Sequence, residues 1–161
     1  MRSSTMRVLE LLESAWAGFQ ESYAGLPDAA LLEPGVAGEW SVKHVLAHVH
    51  TWEEEALAQL PVIAAGGTPP RYAATGGIDA FNARAFERLR DLPLAEVRRQ
   101  LEDGHGRLVQ LVRGAPEELL AGDTRYRRRL RLDTYGHYRL HTAGIRQWRA
   151  RVSAGPSTSG R

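Results

Sequence analysis

The sequence predicts an all-α protein, a four-helix bundle with long connections and an extra short helix. Three observations predict it. Four stretches repeat apolar residues at three- and four-residue steps, the period of one helix face. No stretch alternates apolar and polar residues in the manner of a half-buried strand, apart from a weak hint in the arginine run at 124–132. The chain has 161 residues, with 43% hydrophobic and 25% charged side chains, enough for one soluble domain with a real core.

The first helix covers about residues 6–26. Leu9, Leu12, Trp16, Phe19 and Tyr23 form its stripe, and Gly25 with Pro27 end it. The run PGVAGE at 34–39 is a loop. Ser41 caps a second helix that runs to about residue 65, with Val42, Leu46, Val49, Ala56 and Leu60 on its apolar stripe. His48 and Trp52 flank that stripe, His44 lies further toward the polar side, and His50 faces solvent. Glu53 falls inside the stripe, where a carboxylate needs a partner or a raised pKa. The run GGTPPRYAATGG at 66–77 reads as a flexible loop, a lid or rim.

A third helical region begins near Ile78. Asp91 and Pro93 split it into 78–90 and 94–113, since proline suits the first turn of a new helix. In the second piece Leu94, Val97, Leu101, Leu108 and Val112 face one way and His105 shares their side. Gly104 and Gly106 flank it and weaken the helix locally. Residues 116–120 give a short helical turn, and TRYRRRLRL at 124–132 reads as a loop. Asp133 or Thr134 then caps the last helix. One domain is expected over 1–153, with a frayed tail at 154–161.

The last helix carries the chemistry. His137 and His141 stand four residues apart, one above the other on a helix surface. Gly144, Ile145, Trp148 and Val152 continue their spacing, so the pair is expected on the core-facing stripe, His141 near its centre and His137 at its edge. Two imidazoles so placed can turn toward one metal ion. Two core histidines bonded to carbonyls would satisfy the same pattern. With His48 from the second helix they would make a three-histidine site, built as bundles build metal centres. Three protein ligands leave a position for water or substrate. Imidazole suits Zn, Ni, Fe and Cu alike.

Composition narrows the partners. There is no cysteine, which removes disulfides, protein thiolates and cysteine ligands and fits a cytoplasmic protein. The opening residues are too charged for a signal peptide, and no apolar run approaches membrane-spanning length. Net charge is +2 and Lys43 is the only lysine, so the arginine run does not make a basic field and argues against nucleic acid.

At the level of motif, GEWSVKHVLAHVHTWEE from Gly38, followed far downstream by DTYGHYRLH from Asp133, resembles the DinB/YfiT-like metalloenzyme superfamily. The resemblance covers nearly the whole chain. Trp40 and Ser41 match the family's lead into the second helix, and His48, Trp52 and Glu53 match its first histidine and Trp-Glu pair. His137 and His141 match the closing His-x-x-x-His. The stretch IDAFNARAFERLRDLPLAEV is similar to the branch called DfsB or ClbS, where an asparagine near Asn82 is usual. His44 departs from the pattern, which more often has an acid there.

The resemblance implies a divalent metal, Zn or Ni foremost, on His48, His137 and His141. It implies a transferase or hydrolase acting on an electrophilic small molecule, with a low-molecular-weight thiol as a candidate co-substrate. Glu53 is the candidate catalytic base or hydrogen-bond partner of a ligand histidine. Trp52, Asn82 and His105 are candidates to touch substrate or support the ligands. A homodimer is expected, as for many bundles with an amphipathic outer face. The competing reading is a non-catalytic bundle that binds a hydrophobic ligand or a protein partner.

Overall fold

Ser3 begins the first helix by accepting a hydrogen bond from the Met6 amide, and the chain then stays helical for most of its length. The computed structural model describes residues 1–155. In chain order it has α1 (Ser4–Ser22), α2 (Asp28–Leu31), α3 (Val42–Ala64), a 3-10 turn (Tyr72–Thr75), α4 (Ile78–Leu89), α5 (Leu94–Gly114), α6 (Glu117–Leu120), α7 (Arg125–Asp133) and α8 (Tyr135–Ala154). No strand forms among the described residues. The expected tail lies almost wholly outside them.

The four long helices α1, α3, α5 and α8 make the bundle. α3 packs on α5 and α1 on α8, and α1–α5 and α3–α8 contacts close the ring. α1, α3 and α5 bury most of the stripes their sequences carry: Leu12, Trp16 and Phe19 from α1, where Val8 is buried and Leu9 only half-buried, Val42, Leu46, Val49, Ala56 and Leu60 from α3, and Val97, Leu101, Leu108 and Val112 from α5. Full burial of such side chains contributes about 1.5–3 kcal/mol each, so these stripes dominate the fold. Gly104 and Gly106 do not interrupt α5, which runs through them unbroken. α1 stops at Ser22, a turn short of the expected end, because Tyr23 leaves helical geometry ahead of Gly25 at φ 77°.

Ser41 caps α3 through a reciprocal pair. Its hydroxyl accepts from the His44 amide at 3.3 Å, and its own amide donates to His44 Nδ1 at 3.1 Å. This is a capping box in which histidine holds the place usually taken by an acid. His44 therefore has a structural task.

Two expectations for the C-terminal half are corrected. The arginine run is helical, not a loop: Thr124 accepts from the Arg127 amide, and Tyr126, Leu130 and Asp133 turn inward at helical spacing. Asp133 therefore closes α7 instead of capping α8. Thr134, at φ −128° and ψ −95°, breaks the two helices apart. Gly136 permits the sharp junction, since a Cβ there would lie 2.8 Å from the Arg131 carbonyl oxygen.

The inward face of α8 is also rotated from expectation. Tyr135, Tyr138, Thr142, Ile145 and Trp148 form the buried stripe, while Val152 is 52% exposed. His137 and His141 both lie half-buried beside this stripe, His137 at the edge as expected and His141 away from the expected centre. Tyr138 takes the central place because its hydroxyl finds a buried acceptor in Glu53. His50 is corrected too: it is buried on α3, not facing solvent.

Candidate metal centre and its cavity

α3 presents His48 toward α8, and α8 presents His137 and His141 one turn apart. Their Nε2 atoms converge. His137 Nε2 lies 3.1 Å from His48 Nε2 and 2.9 Å from His141 Nε2. The rings meet at steep angles of 69°, 78° and 85°, so each points a nitrogen edge at a common place. Ligand nitrogens about 2.0–2.1 Å from a tetrahedral zinc would sit roughly 3.3 Å apart, close to this spacing. Among the described residues no other His/Asp/Glu group converges in this way.

The donor set fits a cation better than it fits itself. An imidazole nitrogen offers one in-plane lone pair, and two N–H groups cannot both aim well at the single lone pair of His137 Nε2. A metal ion accepts three lone pairs at once. Burial, aided by the neighbouring imidazoles, holds all three rings neutral: His48 is lowered to about 4 by burial and then by His141, and His141 to about 4 by burial. His137 falls furthest, through burial, His141 and His48. Their lone pairs are thus free at neutral pH.

Aromatic and polar neighbours fix the rings. Trp40 meets the His48 ring edge-on at 5.2 Å and stacks on Phe86 at 5.3 Å. Trp52, on α3, donates its indole N–H to Asn82 Oδ1 on α4 at 3.0 Å. His48, His137, His141, Trp52 and Asn82 all line one open cavity of about 370 Å³. Ile78, Leu132 and Leu140 line it too and are more than half exposed, giving it an apolar rim.

Three polar lining residues were not among the candidate site residues of the sequence: Tyr72, Arg129 and Asp133. Arg129 Nε donates to Asp133 Oδ2 at 2.6 Å and its Nη2 to the Tyr72 hydroxyl at 2.5 Å, and Tyr72 donates to Glu55 Oε2 at 2.8 Å. These bonds tie the loop expected to be free at 66–77 to α3 and α7. The signal was present in the spacing Tyr126, Leu130, Asp133, one inward face of a helix, but the arginines between masked it.

Glu53 and His105 do not line the cavity. They meet deeper in the bundle. Glu53 is fully buried, its Oε2 accepting from the Tyr138 hydroxyl at 2.5 Å, and burial pushes its carboxyl up to about 7. His105 Nδ1 lies 3.1 Å from the same hydroxyl, and its ring stacks flat on Trp16 at 3.9 Å. His50 Nδ1 approaches Glu53 Oε1 at 3.6 Å. Gly104 makes room for this cluster, since a Cβ there would stand 3.0 Å from His50 Nδ1 and 3.2 Å from Glu53 Oε1.

Comparisons with known proteins bear on the fold and the family. The family model described as DinB superfamily matches residues 11–144. No curated protein matches by sequence. An uncharacterised protein from Escherichia coli UTI89 superposes with a TM-score of 0.77 at 15% identity, over 95% of this chain and 96% of that one. The colibactin self-resistance protein ClbS, solved in complex with a dsDNA, gives 0.75 at 16% identity over 92% and 97%. DfsB, described as a sibling lethal factor precursor, gives 0.76 at 14% identity over 94% and 98%. At these identities the neighbours establish a shared helical fold.

Proposed function

We propose, for a chain that belongs to the DinB superfamily, that the cavity is the active site of a metal-dependent enzyme. The proposed reaction is transfer to, or hydrolysis of, an electrophilic small molecule. The observation that carries the reading is the convergence of three uncharged imidazole nitrogens on the wall of an open cavity. His48, His137 and His141 would hold one divalent ion, Zn or Ni. When bound, such an ion supplies Lewis acidity at its open position, lowering the pKa of a water or a small thiol there.

The chain's own residues supply the rest. Trp52 and the rim residues Ile78, Leu132 and Leu140 offer apolar surface to a substrate and keep water from its flanks. Asn82 spends its carbonyl oxygen on Trp52, which leaves its amide N–H groups to donate to a bound molecule. Glu53 acts through Tyr138, anchoring the stripe of α8 next to His137.

Elemental analysis of untagged, purified protein tests the reading. The expected result is about one Zn or Ni per chain, with a melting temperature that falls on chelation and recovers on reloading. Protein that stays metal-free after incubation with both ions, and whose melting ignores chelator, refutes it. The apolar rim supports the second reading, a non-catalytic binder of a hydrophobic ligand, which predicts ligand binding in metal-free protein and no turnover. The dsDNA bound to ClbS motivates one further assay, duplex binding at physiological salt, where a net charge of +2 leads us to expect only weak association.

A further inference from the structure

The cavity has a polar wall opposite in character to its apolar rim. Asp133 is fully buried, yet it lines the cavity. Its Oδ2 is taken by Arg129, while its Oδ1 is buried without any hydrogen-bond partner. A buried carboxylate oxygen left unpaired costs free energy, and in a residue that lines a cavity a ligand donor that reaches that oxygen removes the cost. The local charge is unbalanced as well. Arg129 contributes one positive charge, and it faces two carboxylates, Asp133 at 2.6 Å and Glu55 at 3.9 Å. Burial first, with Glu55 adding to it, raises the Asp133 carboxyl to about 6 despite the guanidinium beside it, so it is ionised above that pH.

We infer that Asp133 Oδ1 is the recognition point for a primary ammonium group, so that the cavity takes amine-bearing small molecules whose other end reaches the three histidines. The inference rests on the cavity proposed above being the ligand site, but not on its metal. An ammonium supplies both missing terms, a donor for Oδ1 and a positive charge for the surplus carboxylate. A hydroxyl supplies only the first and an alkyl end neither. Leu132, Leu140 and Ile78 give the same cavity aliphatic surface for the carbon chain of such a molecule. Arg129 holds the Asp133 carboxylate in place through one oxygen and leaves the other without a partner.

The test begins with metal-free protein and n-alkylamines of three to six carbons, each compared with the alcohol of equal length by NMR titration at pH 7.5. The amine of best length should bind at least about tenfold more tightly than its alcohol, the scale of one charge-assisted hydrogen bond. Asp133→Asn should erase that preference while leaving alcohol binding as it was. A preference that survives in Asp133→Asn places the amine elsewhere, and the inference falls.

Should Asp133→Asn fail to fold, a crystal of the unaltered protein soaked with the amine decides: its nitrogen lies within hydrogen-bond distance of Oδ1, or the inference is overturned. Equal binding of amine and alcohol overturns it too. A second arm uses Co(II)-loaded protein and ω-aminoalkanethiols against ω-hydroxyalkanethiols, read by the thiolate-to-cobalt absorption band. Amine preference without any metal uptake sinks the metal reading and leaves this one standing. Metal uptake with no preference between the two thiol series does the reverse.

Discussion

Two histidine clusters share α3 and α8, and the inner one adds α5 and α1; they could hardly be less alike. His48 and His50 are two residues apart on α3, so they leave the helix on nearly opposite sides. His48 joins His137 and His141 at the cavity, where no carboxylate is among the converging groups. His50 joins His105, Glu53 and the Tyr138 hydroxyl inside the bundle, where Glu13 and Glu54 also approach the imidazoles at 3.4 Å and 3.6 Å. The inner histidines have acids and a phenol to share protons with. The cavity histidines have only one another. A cluster of bases with no acid, open to a cavity, is arranged for an added cation, whereas a cluster of bases and acids buried inside the bundle is arranged for the fold.

The comparison breaks first on metal binding, where the largest effect is expected. His48→Ala, His137→Ala and His141→Ala should each leave the protein without stoichiometric metal after mild dialysis, because two imidazoles hold a labile divalent ion poorly against buffer. His50→Ala and His105→Ala should keep it, at some cost in stability. Metal retained in all of the first three variants, or lost in His50→Ala, would erase the distinction between the clusters.

The inner cluster should respond through stability instead. Glu53→Ala leaves the Tyr138 hydroxyl and two imidazoles facing an empty, buried place, which should cost about 2–4 kcal/mol in denaturant unfolding. Glu53→Gln should cost less and should expose a pH signature. The Glu53 carboxyl rises from 4.5 to about 7 in the fold, so the native state favours its protonated form. Its contribution is complete below about pH 4.5 and is lost as pH rises toward 7. Relative to Glu53→Gln, the unaltered protein should therefore gain stability on going from pH 7.5 to pH 5. Parallel pH curves for the two proteins would show that Glu53 does not titrate in this range.

Much of this was legible in the sequence, and the reasons differ from place to place. The stripes of α1, α3 and α5 are built from aliphatic residues whose preference for the interior is unambiguous. His48 stood out beside such a stripe, and His137 and His141 stood out as a pair four residues apart on the last helix. The face of α8 was harder to read. Its buried stripe is made largely of tyrosines and a threonine, which spacing alone does not distinguish from a surface, and the partners that receive Tyr138 are remote, Glu53 on another helix 85 residues away and His105 33 residues away. α7 was hidden for a related reason. Its arginines mask three inward residues, and the pairing of Arg129 with Tyr72 crosses 57 residues of sequence. Local pattern carries the helices, but the partners that rotate a helix face are long-range.

His44 gives the smallest expected effect and the sharpest check on which histidines belong to which task. It stands one turn before His48 on α3, yet its Nδ1 accepts the Ser41 amide and so serves the capping box. To accept, Nδ1 must carry no proton. Burial first, then Lys43 and Arg90, lower its pKa below 6.5, which keeps it in that state. A depressed folded-state pKa means that the stabilisation is present above pH 6.5 and is lost as pH falls below it. Replacing His44 with alanine should cost about 1 kcal/mol at pH 8, the scale of a lost cap, and leave metal content unchanged. His44→Gln restores a side-chain acceptor that does not titrate. At pH 8 it should match the unaltered protein within about 0.5 kcal/mol, and at pH 5 it should be the more stable of the two. The cavity histidines titrate equally in both proteins and cancel from the comparison. If the two melting curves shift in parallel between pH 8 and pH 5, His44 is not the acceptor of the Ser41 amide, and a lower metal content in His44→Ala would move it from the cap to the centre.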